Sequence, residues 1–332
     1  MKSKIFLFDK RPQGLPSPDS FKLAETAVPE PTSGEVLLKA HYISVDPYLR
    51  GRMREGKSYA KNFVLGEPIQ SNVIAEVIRS ANPAFEPGEF VNGRIDWAEY
   101  QLSDGTGLIK VDPDVAPLSA YLGILGMPGL TAYLGLMEIG RPQPGETIVV
   151  SGAAGAVGSV AGQIGKIMGC RVIGIAGGET KTSLIKNEFG FNEAINYKTS
   201  TNIRGAIERA CPDGVDVYFD NVGGYISDGV VLNINKFARI IICGAISHYN
   251  DTEIPMGPRL ESILLTNSAL MKGFIVSDYS EKFPHAMGQL THWLLEGKLI
   301  NKETIVEGFL NLPHAFIGLF EGRNTGKMVV KI

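Results

Sequence analysis

A glycine-rich turn between an apolar run and a helical pattern constrains the fold of this chain more than any other segment. The apolar residues Thr147–Val150 lead into Ser151 and Gly152, and small residues continue to Gly158 before a helical pattern extends to Met168. This order predicts a buried strand, a tight turn and the first turn of a helix. The amides at such a helix start lack helical acceptors and lie at the positive end of the helix dipole, so they favour a bound phosphate.

The turn has the glycine spacing G-x-x-G-x-x-G, formed by Gly152, Gly155 and Gly158, instead of the commoner G-x-G-x-x-G. Because glycine has no Cβ, a pyrophosphate and the neighbouring strand can both approach the backbone here. The pattern alone leaves a second interpretation open, in which the turn leads into a buried helix and binds nothing.

Strands and helices alternate after about residue 145, which predicts an α/β fold with a doubly wound parallel sheet. The predicted strands are Thr147–Val150, Arg171–Ala176, Glu193–Asn196, Val215–Asp220, Arg239–Cys243 and Met271–Val276. The predicted helices are Val157–Met168, Lys181–Phe189, Ile203–Ala210, Gly224–Leu232 and Glu281–Glu296.

The N-terminal third is β-rich instead. Short apolar runs such as Glu35–Ala40 and Val73–Ile78 are separated by Pro and Gly turns, which predicts a small barrel or sandwich. Runs typical of strands return at Thr304–Phe309 and Lys327–Ile332. We therefore predict a β-rich catalytic domain over residues 1–122, an inserted nucleotide-binding domain over 123–298, and a C-terminal return to the first domain over 299–332.

Charge and composition exclude several classes of partner. The net charge is −3 and no basic tract occurs, so we expect no nucleic acid partner. The segment between Asp114 and Glu138 carries no charge and is long enough to span a bilayer, but it is interrupted by Pro and Gly and lacks basic flanks. We expect a buried, broken helical connection there and no membrane association.

Cysteine use favours a reducing compartment. The three cysteines, Cys170, Cys211 and Cys243, are widely spaced and form no C-x-x-C pair. The N-terminal residues Met1–Ile5 lead into a strand-like run and not into an apolar signal segment. We therefore expect a cytoplasmic protein.

The end of the second predicted strand indicates which dinucleotide binds. An NAD site usually has Asp or Glu there, but this strand ends in Ile175-Ala176-Gly177-Gly178, and Lys181 follows within one turn. A 2′-phosphate would be attracted by this ammonium, which favours NADP over NAD. Glu179 weakens the argument, and Lys181 as an ordinary solvated lysine remains an alternative.

The chain shows no metal-ligand pattern and no nucleophile motif. The five histidines have no ligand spacing, and no four-cysteine lobe and no G-x-S-x-G elbow occurs. If the chain is an enzyme, the cofactor must carry the chemistry while the protein orients and polarises the substrate.

Several motifs in the same order along nearly the whole chain resemble the zinc-independent medium-chain dehydrogenase/reductases. Within that superfamily the chain resembles the group of prostaglandin reductases (leukotriene hydroxydehydrogenases), NADPH-dependent curcumin reductases and alkenal double-bond reductases. The motifs are Val45–Met53, Gly126–Tyr133, Ala153–Gly158, Asn196–Lys198, Asp220–Gly224, Cys243–Ser247 with Tyr249 and Asn250, and Gly322–Lys327.

This resemblance implies a Rossmann domain inserted into a GroES-like barrel domain, and NADPH-dependent reduction of the carbon–carbon double bond of α,β-unsaturated ketones and aldehydes. It also implies a set of residues that bind NADP(H). Those residues are Ala156, Val157, Gly158 and Ser159 at the pyrophosphate, Lys181 and Tyr197 at the 2′-phosphate, Asn221 at the ribose, Cys243, Gly244, Ala245, Ile246, Ser247 and Tyr249 along the bridge, Phe274, Ile275 and Val276 near the nicotinamide, and Asn324 from the tail.

Two tyrosines are the candidate catalytic residues. A neutral phenol can donate a hydrogen bond to the substrate carbonyl and supply a proton, which favours Tyr249. Tyr59, which follows Arg-Gly-Arg-Met, corresponds to a tyrosine of the group and more readily forms a pocket wall. Mammalian members carry a tyrosine where this chain has Thr266, so a role of that tyrosine in substrate binding cannot be transferred. The cofactor ribose hydroxyl could also polarise the carbonyl alone.

Two other functions fit the same motifs. An NADPH-dependent quinone reductase would also work without metal, and a non-catalytic NADPH-binding sensor would bind cofactor and turn nothing over. A homodimer is a further expectation, because Met271–Val276 is a plausible edge strand that could pair with a twofold mate.

Overall fold

A computed structural model describes all 332 residues. The chain folds into two compact units. The first comprises Met1–Leu122, Glu303–Asn324 and Met328–Ile332, and the second comprises Gly123–Lys302 and Thr325–Lys327.

Strands and helices are numbered in chain order. The strands are β1 (Lys2–Phe8), β2 (Phe21–Ala27), β3 (Val36–Ser44), β4 (Gln70–Ser80), β5 (Phe90–Asp96), β6 (Tyr100–Ser103), β7 (Ile109–Val111), β8 (Thr147–Ser151), β9 (Arg171–Ala176), β10 (Glu193–Asn196), β11 (Val215–Asp220), β12 (Ile234–Ile242), β13 (Leu270–Gly273), β14 (Glu303–Glu307) and β15 (Lys327–Lys331). The α-helices are α1 (Leu49–Arg52), α2 (Met127–Leu134), α3 (Ala156–Ile167), α4 (Glu179–Asn187), α5 (Ile203–Ala210), α6 (Gly224–Val231), α7 (Glu261–Asn267), α8 (Phe283–Leu295) and α9 (Leu312–Phe320).

The first unit is built on β-sheet. Strands β14-β15-β3-β4-β5-β7 form one sheet in that order, β6 pairs with β3, and β1 with β2 forms a separate antiparallel pair. Its core contains Trp97, whose ring stacks on Phe21 at 6.1 Å between centroids. Phe316 of α9 meets both rings edge-on, at 6.0 and 6.5 Å, so the returning C-terminal helix completes this core.

The second unit contains a six-stranded parallel sheet in the order β10-β9-β8-β11-β12-β13. Strands β8 and β9 are buried along almost their whole length, as expected for a sheet covered by helices on both faces. The order reverses between β8 and β11, and ligands of such sheets bind outside the carboxyl ends at this switch point. The predicted doubly wound fold is confirmed.

The sequence prediction was wrong at several places in the elements, among them the start of β12, which lies at Ile234 and not at Arg239. The C-terminal return is not purely β-like, because α9 (Leu312–Phe320) lies between β14 and β15. Helix α7 was not predicted, and it buries none of its residues. The last parallel strand ends at Gly273 and not at Val276, because the chain turns into a 3₁₀ segment at Val276–Lys282.

The uncharged segment after Asp114 forms several short helical pieces. A 3₁₀ turn at Leu118–Leu122 and helix α2 are followed by a π-helical turn at Gly135–Gly140. None of the helices combines the length and the apolar character that crossing a bilayer requires.

Candidate active site

The turn after β8, at the switch point, depends on glycine for its backbone conformation and for its close packing. Strand β8 ends at Ser151, and Gly152 takes a left-handed φ of 59°. The N–H of Gly155 then donates to the carbonyl oxygen of Gly152 at 2.9 Å. A Cβ on Gly158 would lie 2.3 Å from that same oxygen, so any side chain there would force the turn open.

Helix α3 starts directly after this turn and has the predicted pyrophosphate residues in its first turn. The first helical hydrogen bond is donated by the Ser159 amide to the Gly155 carbonyl at 3.0 Å. The amides of Ala156, Val157 and Gly158 precede it, and first-turn amides have no acceptor within a helix. They form a positive end suited to an anion.

A buried carboxylate joins the ends of β8 and β11. The side chain of Asp220 is 1% exposed, and its Oδ1 accepts hydrogen bonds from Ser151 Oγ and Tyr218 Oη, both at 2.8 Å. The same oxygen accepts the backbone amides of Val222 at 2.9 Å and Gly223 at 3.0 Å. Four donors converge on this oxygen, so the buried carboxyl group is well supplied with hydrogen bonds.

Asn221 lies within this network. Its backbone N–H donates to Ser151 Oγ at 2.9 Å, and its Nδ2 donates to the Ser151 carbonyl at 2.7 Å. The side chain of the predicted ribose residue therefore lies directly over the end of β8.

The loop after β12 is tied to the same place. The amides of Cys243 and Gly244 donate to the backbone carbonyl of Asp220 at 2.9 and 3.1 Å. Ser247 Oγ donates to the Val222 carbonyl at 2.6 Å. The structure thus brings the turn after β8, the loop after β11 and the loop after β12 together at the carboxyl edge of the sheet.

Two side chains of this loop have shifted pKa values. Desolvation raises the pKa of the Cys243 thiol to about 12, and the charge of Asp220 adds to this. The thiol is therefore protonated near neutral pH and unsuited to nucleophilic attack. Burial likewise raises the pKa of the Tyr249 phenol, although its oxygen accepts a hydrogen bond from the Ala245 N–H at 3.3 Å. Tyr249 is thus a neutral phenol.

Two lysines, Lys181 and Lys198, form a cationic corner of the site at the ends of β9 and β10. Lys181 is half-buried near the start of α4, and burial together with the charge of Lys198 lowers its pKa. A Cβ on Gly177 would lie 2.9 Å from Tyr197 Oη and 3.0 Å from Lys198 Cε, so both side chains cover the end of β9. Asn196 Oδ1 accepts the amides of Gly178 at 2.9 Å and Lys198 at 3.1 Å and fixes the two loops together.

Sequence reasoning missed Lys198 as a site residue. Its motif was recognised, but the residue is separated from Lys181 by a whole strand, and only the parallel pairing of β9 with β10 brings the two loops together. The signal available was a second lysine directly after the predicted Tyr197.

The predicted nicotinamide residues follow β13 at the same carboxyl edge. Phe274 packs edge-on against Tyr279 at 6.3 Å, and a Cβ on Gly135 would lie 2.9 Å from the Phe274 ring. Ile275 is extended, and Val276 begins the 3₁₀ segment.

The remaining two predicted residues belong to the first unit. Tyr59 is 64% exposed in the loop after α1. Asn324 is the last residue of its segment of the first unit. Two residues later, Gly326 of the second unit forms a β-bridge with Gly155 of the glycine turn.

Buried arginines of the Val45–Met53 motif fix the loops of the first unit. Arg50 Nη2 donates to the Gly14 carbonyl at 2.8 Å, and Arg52 Nε donates to the Lys61 carbonyl at 2.8 Å. Burial lowers the pKa of both guanidinium groups to about 10. Arg52 thereby supports the loop that carries Tyr59, whereas Arg50 fixes the loop after β1.

A metal ion would have to be bound by several suitable side chains together. No group of three or more His, Cys, Asp or Glu side chains is arranged to hold a metal ion.

Two family descriptions match the chain. That of the N-terminal domain of oxidoreductase matches residues 4–111, and that of zinc-binding dehydrogenase matches residues 156–292. The second description names zinc, whereas this chain has no cluster of suitable ligands.

Full-length relatives decide the family. The Bacillus subtilis protein YfmJ, named provisionally as an NADP-dependent oxidoreductase, is 55% identical over 97% of this chain and 96% of its own length. Mouse prostaglandin reductase 1 is 44% identical over 100% of this chain and 99% of its own length. The chain belongs to the medium-chain dehydrogenase/reductase family. Within this family it falls in the zinc-independent group that the sequence motifs indicated, and it is an oxidoreductase.

Two further members of the group agree with this assignment. The tobacco 2-alkenal reductase (NADP(+)-dependent) is 44% identical over 92% of this chain and 89% of its own. The crystal structure of CurA from Vibrio vulnificus in complex with NADPH superposes with a TM-score of 0.94, at 44% identity over 99% of this chain and 98% of that one. The predicted family, fold class and enzyme class are confirmed.

Proposed function

We propose that this medium-chain dehydrogenase/reductase uses NADPH to reduce the carbon–carbon double bond of small α,β-unsaturated ketones and aldehydes. The observation that carries the proposal is the pairing of a glycine-turn helix start with a two-lysine corner on the same sheet edge. The names of the alkenal reductase and of the NADPH complex of CurA support both the reaction and the cofactor.

The residues at the switch point fit a phosphorylated dinucleotide. The approach allowed by Gly158 and the first-turn amides of α3 suits a pyrophosphate at Ala156–Ser159. Lys181 and Lys198, with Tyr197, would hold the 2′-phosphate. NADP(H) is accordingly the cofactor, and when bound it supplies the hydride that adds to the β-carbon of the substrate.

Further residues would bind along the rest of the cofactor. Asn221 would contact the ribose, and the loop of Cys243, Gly244, Ala245, Ile246 and Ser247 would follow the bridge. Phe274, Ile275 and Val276 would pack near the nicotinamide carboxamide, and Asn324 would close over the cofactor. These roles follow from the family resemblance and from the common sheet edge of the second-unit residues.

Tyr249 is the proposed hydrogen-bond donor. Addition of hydride at the β-carbon places negative charge on the carbonyl oxygen of the substrate. A neutral phenol that donates to this oxygen stabilises the transition state more than the ground state. The raised pKa of Tyr249 keeps its proton in place for this donation and for its later transfer to the substrate. Tyr59 would line the substrate pocket.

The experiment is NADPH oxidation against a size-graded series of enals and enones, with 1,4-benzoquinone as the rival substrate. The proposal predicts turnover of the enones and a saturated product that keeps its carbonyl group. Turnover of benzoquinone alone would support a quinone reductase instead. NADPH binding without turnover of any substrate would support a sensor.

Three attributes of the whole protein belong to the same proposal. The domain division is that predicted from the sequence, with the catalytic domain formed by residues 1–122 and 299–332. The three cysteines are free thiols, in keeping with a reducing cytoplasm. We further propose a homodimer that pairs through β13.

A further inference from the structure

The Asp220 carboxylate is the one strongly buried acidic group of the candidate site to which no step has been assigned. It ends β11 at the switch point, and its Oδ1 accepts hydrogen bonds from four donors. Two of these donors are the backbone amides of Val222 and Gly223, at the start of the loop that leads into α6. A backbone N–H changes direction only when the backbone dihedrals change. Because both amides donate to the same carboxylate oxygen, this oxygen fixes the path of the loop.

The third donor extends this hold to Asn221. Ser151 Oγ donates to Asp220 Oδ1 at 2.8 Å and accepts the Asn221 N–H at 2.9 Å. The carboxylate thus orients the amides of three successive residues: that of Asn221 through the Ser151 hydroxyl, and those of Val222 and Gly223 directly. The Val222 carbonyl in turn accepts the Ser247 hydroxyl, so the loop after β12 depends on the same arrangement.

We propose that Asp220 is a positioning residue of the reaction, whose carboxylate holds the Asn221–Gly224 loop and the Cys243–Ser247 loop in the arrangement that orients the dinucleotide. The inference rests on the proposed function for the identity of the ligand. Asp220 itself would touch neither cofactor nor substrate, because its side chain is 1% exposed and directed at the protein's own donors.

The same strand offers a matched control. Asp216, near the other end of β11, accepts the Thr147 amide at Oδ2 and Asn235 Nδ2 at Oδ1, both at 2.8 Å. It therefore also joins β11 to β8 by a carboxylate, but at the edge of the sheet opposite the candidate site. A purely structural role for Asp220 predicts that Asp216→Asn and Asp220→Asn behave alike.

The test compares these two variants with Ser151→Ala and the wild type. Hydrogen exchange of the free protein is followed in residues 221–224 and 243–249, together with thermal stability, NADPH binding by fluorescence titration, and kcat at saturating NADPH and enone. For Asp220→Asn we expect exchange in both loops to rise about tenfold, NADPH to bind about tenfold more weakly and kcat to fall about tenfold or more.

Ser151→Ala, which removes the bridging hydroxyl, should change the same quantities in the same direction by a smaller factor. Asp216→Asn should lower the melting temperature without changing kcat by more than about twofold. Equal effects of Asp216→Asn and Asp220→Asn on kcat, or unchanged loop exchange in Asp220→Asn, would overturn the inference. If the wild type binds no NADPH, the proposed function fails, while the exchange of the free loops still decides the role of Asp220.

Discussion

Tyr249 handles the proton in the proposed reaction, and its phenol must stay neutral to do so. Replacing it by Phe keeps the ring and removes the donor. We expect Tyr249→Phe to lower kcat by about ten- to a thousandfold while the affinity for NADPH barely changes. Steady-state kinetics and fluorescence titration measure the two quantities. Unchanged turnover would assign the polarising role to another group, such as the cofactor ribose hydroxyl.

Lys181 and Lys198 determine which dinucleotide is preferred. We expect Lys181→Ala and Lys198→Ala each to weaken NADPH binding by about 1.5–3 kcal/mol and to leave NADH binding nearly unchanged, because only NADPH carries the 2′-phosphate. Calorimetry with both dinucleotides provides the control within each variant. Equal losses for NADPH and NADH would contradict a phosphate role for either lysine.

The lowered pKa of Lys181 gives this preference a pH dependence. Burial and the neighbouring charge of Lys198 favour loss of the Lys181 proton, so the free protein loses this cation at a pH below the ordinary lysine value of about 10.4. The preference for NADPH over NADH should therefore decline as the pH rises toward that value. A constant ratio of the two affinities up to that pH would show that Lys181 does not meet the phosphate.

At the scale of elements, the glycine turn and α3 form one unit that cannot accept a side chain at Gly158. We expect Gly158→Ala to cost about 1–3 kcal/mol of stability and to abolish tight NADPH binding, because a Cβ there would lie 2.3 Å from the Gly152 carbonyl. Denaturant unfolding and NADPH titration measure the two effects.

Gly288→Ala is the matched control for this variant. Gly288 lies in α8, and a Cβ there would meet no atom within 4 Å. Since alanine favours helix, this variant should be neutral or gain up to about 1 kcal/mol, with unchanged NADPH binding. Tight NADPH binding by Gly158→Ala would contradict the role given to the turn.

The sequence predicted those elements whose pattern is strongly periodic. Strands β9, β10 and β11 and helix α5 have the predicted bounds, because apolar strands and amphipathic helices alternate there without interruption. Helix α9 escaped prediction since its residues Leu312–Phe320 are almost all apolar, and a short apolar run does not distinguish a buried helix from a buried strand. Helix α7 escaped because it is short and its inward residues, Ile263 and Leu264, are only half-buried against the core.

Individual site residues could be predicted where they belong to a recognisable motif. The contacts between these residues could not be predicted. The sequence indicated Asn221 and Tyr197, but the convergence of four donors on Asp220 and the approach of Lys198 to Lys181 depend on which strands pair. Such contacts between distant segments have no local pattern in the sequence.

At the scale of the whole molecule, the open edge of β13 is the surface through which we propose that two chains pair. Leu270 of β13 is 47% exposed, and Leu265 of α7, the helix that precedes β13 in the chain, is 82% exposed. Light scattering should give twice the chain mass of 35.9 kDa at micromolar concentration. We expect Leu270→Glu to shift the protein toward the monomer, whereas Leu310→Glu, at a comparably exposed leucine of the first unit (54%), should not. A monomeric wild type would exclude the dimer.

The central claim is that the molecule reduces a carbon–carbon double bond with NADPH. The most direct measurement uses NADPH doubly deuterated at nicotinamide C4, a simple enone, and mass and NMR analysis of the product. Our account predicts a saturated ketone with one deuterium on the former β-carbon and the carbonyl intact. An unsaturated alcohol with deuterium on the former carbonyl carbon, or no deuterium transfer at all, would contradict it.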